Sequence, residues 1–114
     1  MAEEIRMTWT VLRVLTALLE HPTAKHYGFE VCKATKLPSG TVYPLLMRLE
    51  QAGWLDSAWE DVDPREAKRP RRRFYRLNGE GMRHAQAALQ QAQQTLRLRW
   101  DQPSGLPTPG ATPA

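Results

Sequence analysis

The chain has 114 residues, 41% of them apolar and 25% charged, the balance of one globular domain with room for a modest core. Sixteen Lys and Arg against twelve Asp and Glu leave a net charge of +4, which favours a polyanionic partner, though weakly by itself. No apolar run approaches bilayer-spanning length, the acidic start Met1-Ala2-Glu3-Glu4 is not a secretory leader, and the single Cys32 excludes an intrachain disulfide framework, so a cytoplasmic protein with no membrane partner is expected.

Residues 7–20 read as a helix. Val11, Val14, Leu15 and Leu18 form one i, i+3, i+4, i+7 stripe, and Trp9, Leu12, Thr16 and Leu19 a second. A helix apolar around so much of its circumference must bury more than one face, and a second chain is a natural cover for one of them. His21-Pro22-Thr23 ends it, because the residue before proline avoids helical geometry. Tyr27 to Thr35 reads as a short second helix with Tyr27, Val31 and Ala34 inward, and Lys36-Leu37-Pro38 as a turn. Ser39 is expected to cap a third helix running to about Ala52, with Val42, Leu45, Leu46 and Leu49 buried. Its opposite face carries Gly40, Thr41, Pro44, Arg48 and Gln51, which are small or polar, and Gly53 is the expected stop.

Leu55 to Trp59 and Arg72 to Leu77 have strand character, and the polar loop between them, holding Pro64 and Pro70, makes a hairpin with a long charged tip. Asn78 is expected to cap a fourth helix, with Glu80 in its first turn. Along it Met82, Ala85, Leu89, Ala92 and Leu96 repeat at 3,4 spacing, a heptad seam suited to pairing with a second copy. From Asp101 the chain is proline-rich and cannot build a core, so a disordered tail is expected over 101–114. The fold class is therefore mainly α with a small β-hairpin: a winged helix-turn-helix over 1–77, then a C-terminal dimerisation helix over 78–100.

Seven of the sixteen Lys and Arg residues lie between Arg65 and Arg76, with Glu66 the one acid among them. A basic run that feeds a strand holds its charges at fixed positions, as gripping a phosphate backbone in register requires. A short helix, a tight turn and a third helix make a helix-turn-helix whose last helix can enter the major groove, and the hairpin after it is a wing. Small residues at the start of the third helix let its backbone approach the bases. Thr41 and Arg48 offer hydrogen bonds there, Tyr43 reaches a phosphate or a thymine methyl, and Arg69, Arg71, Arg72 and Arg73 lie along the flanking backbone or in the minor groove. Lys36, in the turn, joins the expected contacts.

These residues reach a known family. The runs from Gly40 to Leu55 (GTVYPLLMRLEQAGWL), Trp59-Glu60, Arg69 to Leu77 (RPRRRFYRL) and Glu80-Gly81 resemble the PadR-type transcriptional regulators, and His26-Tyr27-Gly28-Phe29-Glu30-Val31 is similar to that family's second-helix motif. The resemblance covers roughly residues 7–96. It implies a repressor that dimerises through its first and last helices and binds an inverted repeat in double-stranded DNA, with Ser39, Thr41, Tyr43, Pro44 and the wing arginines on the DNA. The single short C-terminal helix resembles the compact subgroup, some of whose members bind flat drug-like molecules at the dimer interface. Here Trp9, Leu12, Ala88, Ala92, Leu96 and Trp100 are the candidate effector contacts. Two departures stand out. The middle of the last helix carries alanines where those ligand binders tend to have an aromatic, and Lys68 stands where the family usually has glycine before the Arg-Pro pair.

No nucleophile–base set, paired carboxylates or phosphate loop appears, so no enzyme is expected. His21, His26, His84 and Cys32 lack metal-ligand spacing, and neither a metal nor another cofactor is expected. Two other readings stay open: a winged-helix module whose basic wing meets an acidic protein, and a DNA-binding protein that answers to no effector.

Overall fold

The computed structural model describes residues 5–101, with side chains to residue 98. Helix α1 (Trp9–Glu20) is followed by strand β1 (His26–Tyr27), helices α2 (Gly28–Thr35) and α3 (Ser39–Gln51), strand β2 (Leu55–Trp59), the single turn α4 (Pro64–Ala67), strand β3 (Arg73–Leu77) and helix α5 (Gly79–Asp101). The core joins α1, α2 and α3 to the sheet and to the start of α5. Val14, Leu15, Leu18, Val42, Leu46, Leu49 and Ala85 are fully covered within it.

Local chemistry sets most of the boundaries. The Thr8 hydroxyl accepts the Val11 N–H at 3.2 Å and starts α1. Helix α2 closes on Lys36, whose left-handed backbone (φ 60°) turns its N–H onto the Cys32 carbonyl at 2.8 Å. Gly53 supplies the positive φ, 85°, that stops α3. The Asn78 side-chain Oδ1 accepts the Gly81 N–H at 2.8 Å to start α5, and its Nδ2 donates to the Gly53 carbonyl at 2.8 Å. One side chain therefore begins one helix and anchors it to the end of another. Gly81 sits so close to β2 that a Cβ on it would overlap the Trp54 carbonyl oxygen.

Several expectations are corrected. The hairpin gains a third strand, in the antiparallel order β1-β3-β2, with Tyr27 opposite Phe74 and Ser57 opposite Tyr75. Two residues are too short to show alternation in a sequence, so periodicity alone merges the end of β1 into α2. With α2 beginning at Gly28, its inward face is Gly28, Val31 and Thr35, while Ala34 is exposed and Tyr27 is half-buried in the sheet. Ser39 does not cap α3: Pro38 occupies the cap position, no side chain bonds the helix start, and Ser39 is the first helical residue. The wing tip is not all loop, because Asp63 Oδ1 accepts the Arg65 N–H at 2.9 Å and Pro64 starts a helical turn. That turn ends at Lys68 with φ 56°, a left-handed position where glycine is the low-strain residue.

The heptad seam also divides. Ala85 belongs to the chain's own core, Met82, Leu89 and Ala92 are half-buried, and Leu96 is exposed. Among the described residues no helix is long and apolar enough to cross a membrane. Asp101, expected to open the disordered tail, instead ends α5, and the rest of the proline-rich tail falls on residues outside those described.

Candidate nucleic-acid interface

Helix α3 buries Val42, Leu45, Leu46 and Leu49 and turns Gly40, Pro44, Met47 and Gln51 outward. Ser39, Gly40, Pro44 and Arg48 are exposed and Thr41 is half-buried. No atom lies within 4 Å of where a Gly40 Cβ would stand, so the helix start presents bare backbone. Met47 is 53% exposed at the centre of this face. Its type alone suggests a core position, yet it sits three residues after Pro44 on the same outward line. A thioether there can meet a thymine methyl.

Tyr43 proves to be both packed and presented. It is 40% exposed, yet its ring rests on the start of α2, where a Cβ on Gly28 would overlap Cε1. Gly28 is thus what lets the ring lie flat, a role only the tertiary contact reveals. Tyr43, Phe29, Arg72 and Arg73 line a cleft of about 340 Å³ between α2, α3 and β3.

The four wing arginines do not behave alike. Arg69 is held in a two-pronged ion pair, its Nη1 and Nη2 donating to the Glu60 carboxylate at 2.5 and 3.1 Å. The same carboxylate accepts the Arg72 N–H at 2.8 Å, and the Glu60 N–H donates back to the Arg72 carbonyl at 2.8 Å. The Arg69 hydrogen bond, reinforced by that backbone bond, draws the Glu60 carboxyl from its ordinary 4.5 down to about 2, although partial burial opposes this. Arg69 is raised correspondingly by the same bond. Glu60 thus closes the wing tip, and the Arg69 guanidinium expected on DNA is occupied inside the protein.

Arg71 gives only its Nε, at 2.9 Å to the Val62 carbonyl, and leaves the rest of its fork outward. The Arg72 guanidinium lies 4.7 Å over the Phe29 ring. Arg73 donates to the Ser57 hydroxyl at 2.7 Å, approaches Glu50 at 3.5 Å and stacks 5.3 Å over Trp59. The Ser57 hydroxyl in turn donates to Glu50, so the wing is tied to the end of α3. Tyr75 is core, and burial raises its phenol. Lys36 is exposed at the turn and takes part in no ion pair among the described residues. The Glu60 clamp had a readable signal: pairing Trp59 with Arg73 sets Glu60 opposite Arg72.

Away from the wing, Trp9, Leu12, Ala88, Ala92 and Leu96 line one cleft of about 410 Å³ between α1 and α5, joined by Met7, Thr8 and Gln91. Trp9 is 65% exposed at its rim. Trp100 lies in α5, but its side chain is beyond those described. Among the described residues no group of three His, Cys, Asp or Glu comes together to hold a metal ion. His26 Nε2 instead bonds the His21 carbonyl at 2.8 Å, and His84 stacks on Trp54 at 4.9 Å.

Solved structures share this architecture. A PadR family transcription regulator from Clostridium difficile superposes with a TM-score of 0.65 at 21% identity, over 80% of this chain and 94% of that one. A PadR family regulator from Eggerthella lenta gives 0.61 at 26% identity, over 74% of each chain. BpsR of Bordetella bronchiseptica, whose DNA binding is regulated by 6-hydroxynicotinic acid, gives 0.66 at 22% identity, over 90% of this chain and 65% of that one. No curated protein matches the chain. Residues 14–87, from the middle of α1 through the wing into α5, match the model of the transcriptional regulator PadR-like family. With a helix-turn-helix, a basic wing and that match over most of its length, the chain belongs to the PadR-like family and is a DNA-binding transcriptional regulator rather than an enzyme.

Proposed function

We propose that this regulator is a cytoplasmic homodimeric repressor that binds an inverted-repeat operator and is released from it by a small planar molecule seated between α1 and α5. The observation that carries this reading is the apolar surface on those two helices. Met7, Trp9 and Leu96, which come together at the α1–α5 cleft, are 39%, 65% and 38% exposed, too much apolar surface in one region for an isolated chain to leave in water. A second copy covers it, and two-fold symmetry then sets two copies of α3 and its wing on two half-sites. Gly40, Tyr43, Pro44 and Met47 approach the bases, Thr41 and Arg48 hydrogen-bond to the DNA on one flank of them, Ser39 and Lys36 lie at the helix start, and Arg71 and Arg72 on the backbone.

The cleft that Trp9 rims opens beside this surface, so its occupant touches the elements that set the spacing of the two wings. Regulation of BpsR by 6-hydroxynicotinic acid supports an aromatic acid as the class of effector. Such a ligand must bind one dimer geometry better than the other, since equal affinity shifts nothing. The test joins sedimentation to DNA binding on the segment upstream of the protein's own gene. A dimer at micromolar concentration that Leu96→Glu splits, with operator selectivity falling in step, is the expected result. A wild-type monomer that still binds selectively would sink the dimer.

A further inference from the structure

Once ion pairs are counted, the positive charge facing DNA is distributed differently from the arginine run in the sequence. Arg69 is neutralised by Glu60, and Arg73 is shared between Ser57 and Glu50. Arg6 and Arg48, by contrast, have no carboxylate partner among the described residues. Both line one groove of about 230 Å³ between the start of α1 and the outer flank of α3. Three hydroxyl side chains, Thr8, Thr10 and Thr41, line it with them, and among the described residues no acid does. The Thr8 oxygen accepts the Val11 N–H, which leaves its own O–H free to donate.

The groove's position gives this chemistry a use. On a helix of 3.6 residues per turn, Thr41 and Arg48 lie roughly 140–180° around from Tyr43 and Glu50. Tyr43 and Glu50 are the residues of α3 that meet Arg73 and the wing. The groove and the wing therefore stand on opposite flanks of α3. A helix in the major groove has a phosphate strand on either side of it, and contacts to both fix its tilt and register.

We propose that the Arg6–Arg48 groove is a second phosphate-backbone site, which holds the DNA strand on the flank of α3 away from the wing. Its ligand is the DNA phosphodiester. Arg6 and Arg48 supply charge, and the hydroxyls of Thr10 and Thr41 supply neutral hydrogen bonds. The site rests on α3 being the DNA-reading helix, and it adds Arg6 and Thr10 of the first helix region to the interface. It positions the protein and carries no sequence information.

The experiment uses the full chain with Arg6→Ala, Arg6→Glu and the wing double variant Arg71→Ala/Arg72→Ala. Each is titrated with salt against the duplex upstream of the protein's own gene and a scrambled duplex of equal length. Arg6→Ala should weaken binding to both duplexes by the same factor and reduce the log–log salt slope by about 1 for each phosphate it no longer holds, with Arg6→Glu weaker still. Melting curves should match the wild type, because Arg6 is exposed and precedes α1. If both Arg6 variants keep wild-type affinity and slope while the wing variant weakens, the groove site is overturned and the DNA-reading role of α3 stands. Should the wing variant be silent as well, that role falls too. Loss of sequence selectivity without a change in slope would make Arg6 a base reader and overturn the phosphate assignment.

Discussion

Glu60 is an acid in the one part of the molecule where acids should be unwelcome. Facing DNA, a carboxylate repels; here it holds Arg69 and the Arg72 backbone, and so decides where the neighbouring arginines point. Two effects of Glu60→Gln then oppose each other. Removing the charge favours DNA of any sequence, whereas loosening the wing tip lowers discrimination. The expected outcome is unchanged or tighter binding to scrambled DNA with a reduced preference for the operator, measured as a ratio of the two affinities. A uniform gain on both DNAs would reduce Glu60 to a simple repulsive charge. The carboxyl is lowered in the folded protein from 4.5 to about 2, so its contribution to stability is fully present above 4.5 and is lost as pH falls through about 2. Wing geometry should therefore not change above pH 4.5 on account of this group. An NMR titration of the Glu60 carboxyl with a midpoint near 4.5 would show that the clamp is open in solution. Met47 and Gly28 carry the converse lesson. Residue type argues for burying a methionine that in fact faces outward, and the seat of Tyr43 depends on an absent Cβ on another helix.

Among the elements, the wing and α3 are one assembly rather than two. Ser57 and Arg73 of the hairpin both meet Glu50 of α3, and β1 adds a strand that roots the hairpin against the start of α2. Helix α5 is joined to the same body at its first turn, through Asn78 and the close pass of Gly81 over Trp54. A methyl group at Gly81 would meet backbone, which cannot rotate away. Gly81→Ala should therefore destabilise the fold by about 1–3 kcal/mol, read from the midpoint of denaturant unfolding. An unchanged midpoint would mean that α5 stands off from β2 by the width of a methyl group. The strands Leu55–Trp59 and Arg73–Leu77, and the buried stripe of α3, were readable because alternation and 3,4 spacing run over enough residues to be periodic. The two-residue β1 and the single turn α4 are too short for any period, and pairing or a cap decides them instead.

For the whole molecule, the apolar rim of α1 and α5 links stability to association. If two copies share that surface, the thermal midpoint should rise with protein concentration, and it should stop doing so in Leu96→Glu. A wild-type midpoint independent of concentration would mean that the surface stays open. Amino-acid order alone determined the helix-turn-helix, the hairpin, the basic wing and the family resemblance, because periodicity, caps and local charge density are properties of neighbours in sequence. It also named five residues of the α1–α5 cleft, since apolar positions on two helices that must pack together can be picked out without knowing how they pack. Which arginines are held in ion pairs inside the protein was decided by tertiary structure. Glu60 lies nine residues from Arg69, and Glu50 twenty-three from Arg73, so these pairings exist only once the hairpin closes and docks on α3. The Arg6–Arg48 groove has the same origin: forty-two residues separate its two cations, and only the packing of α1 beside α3 brings them to one surface.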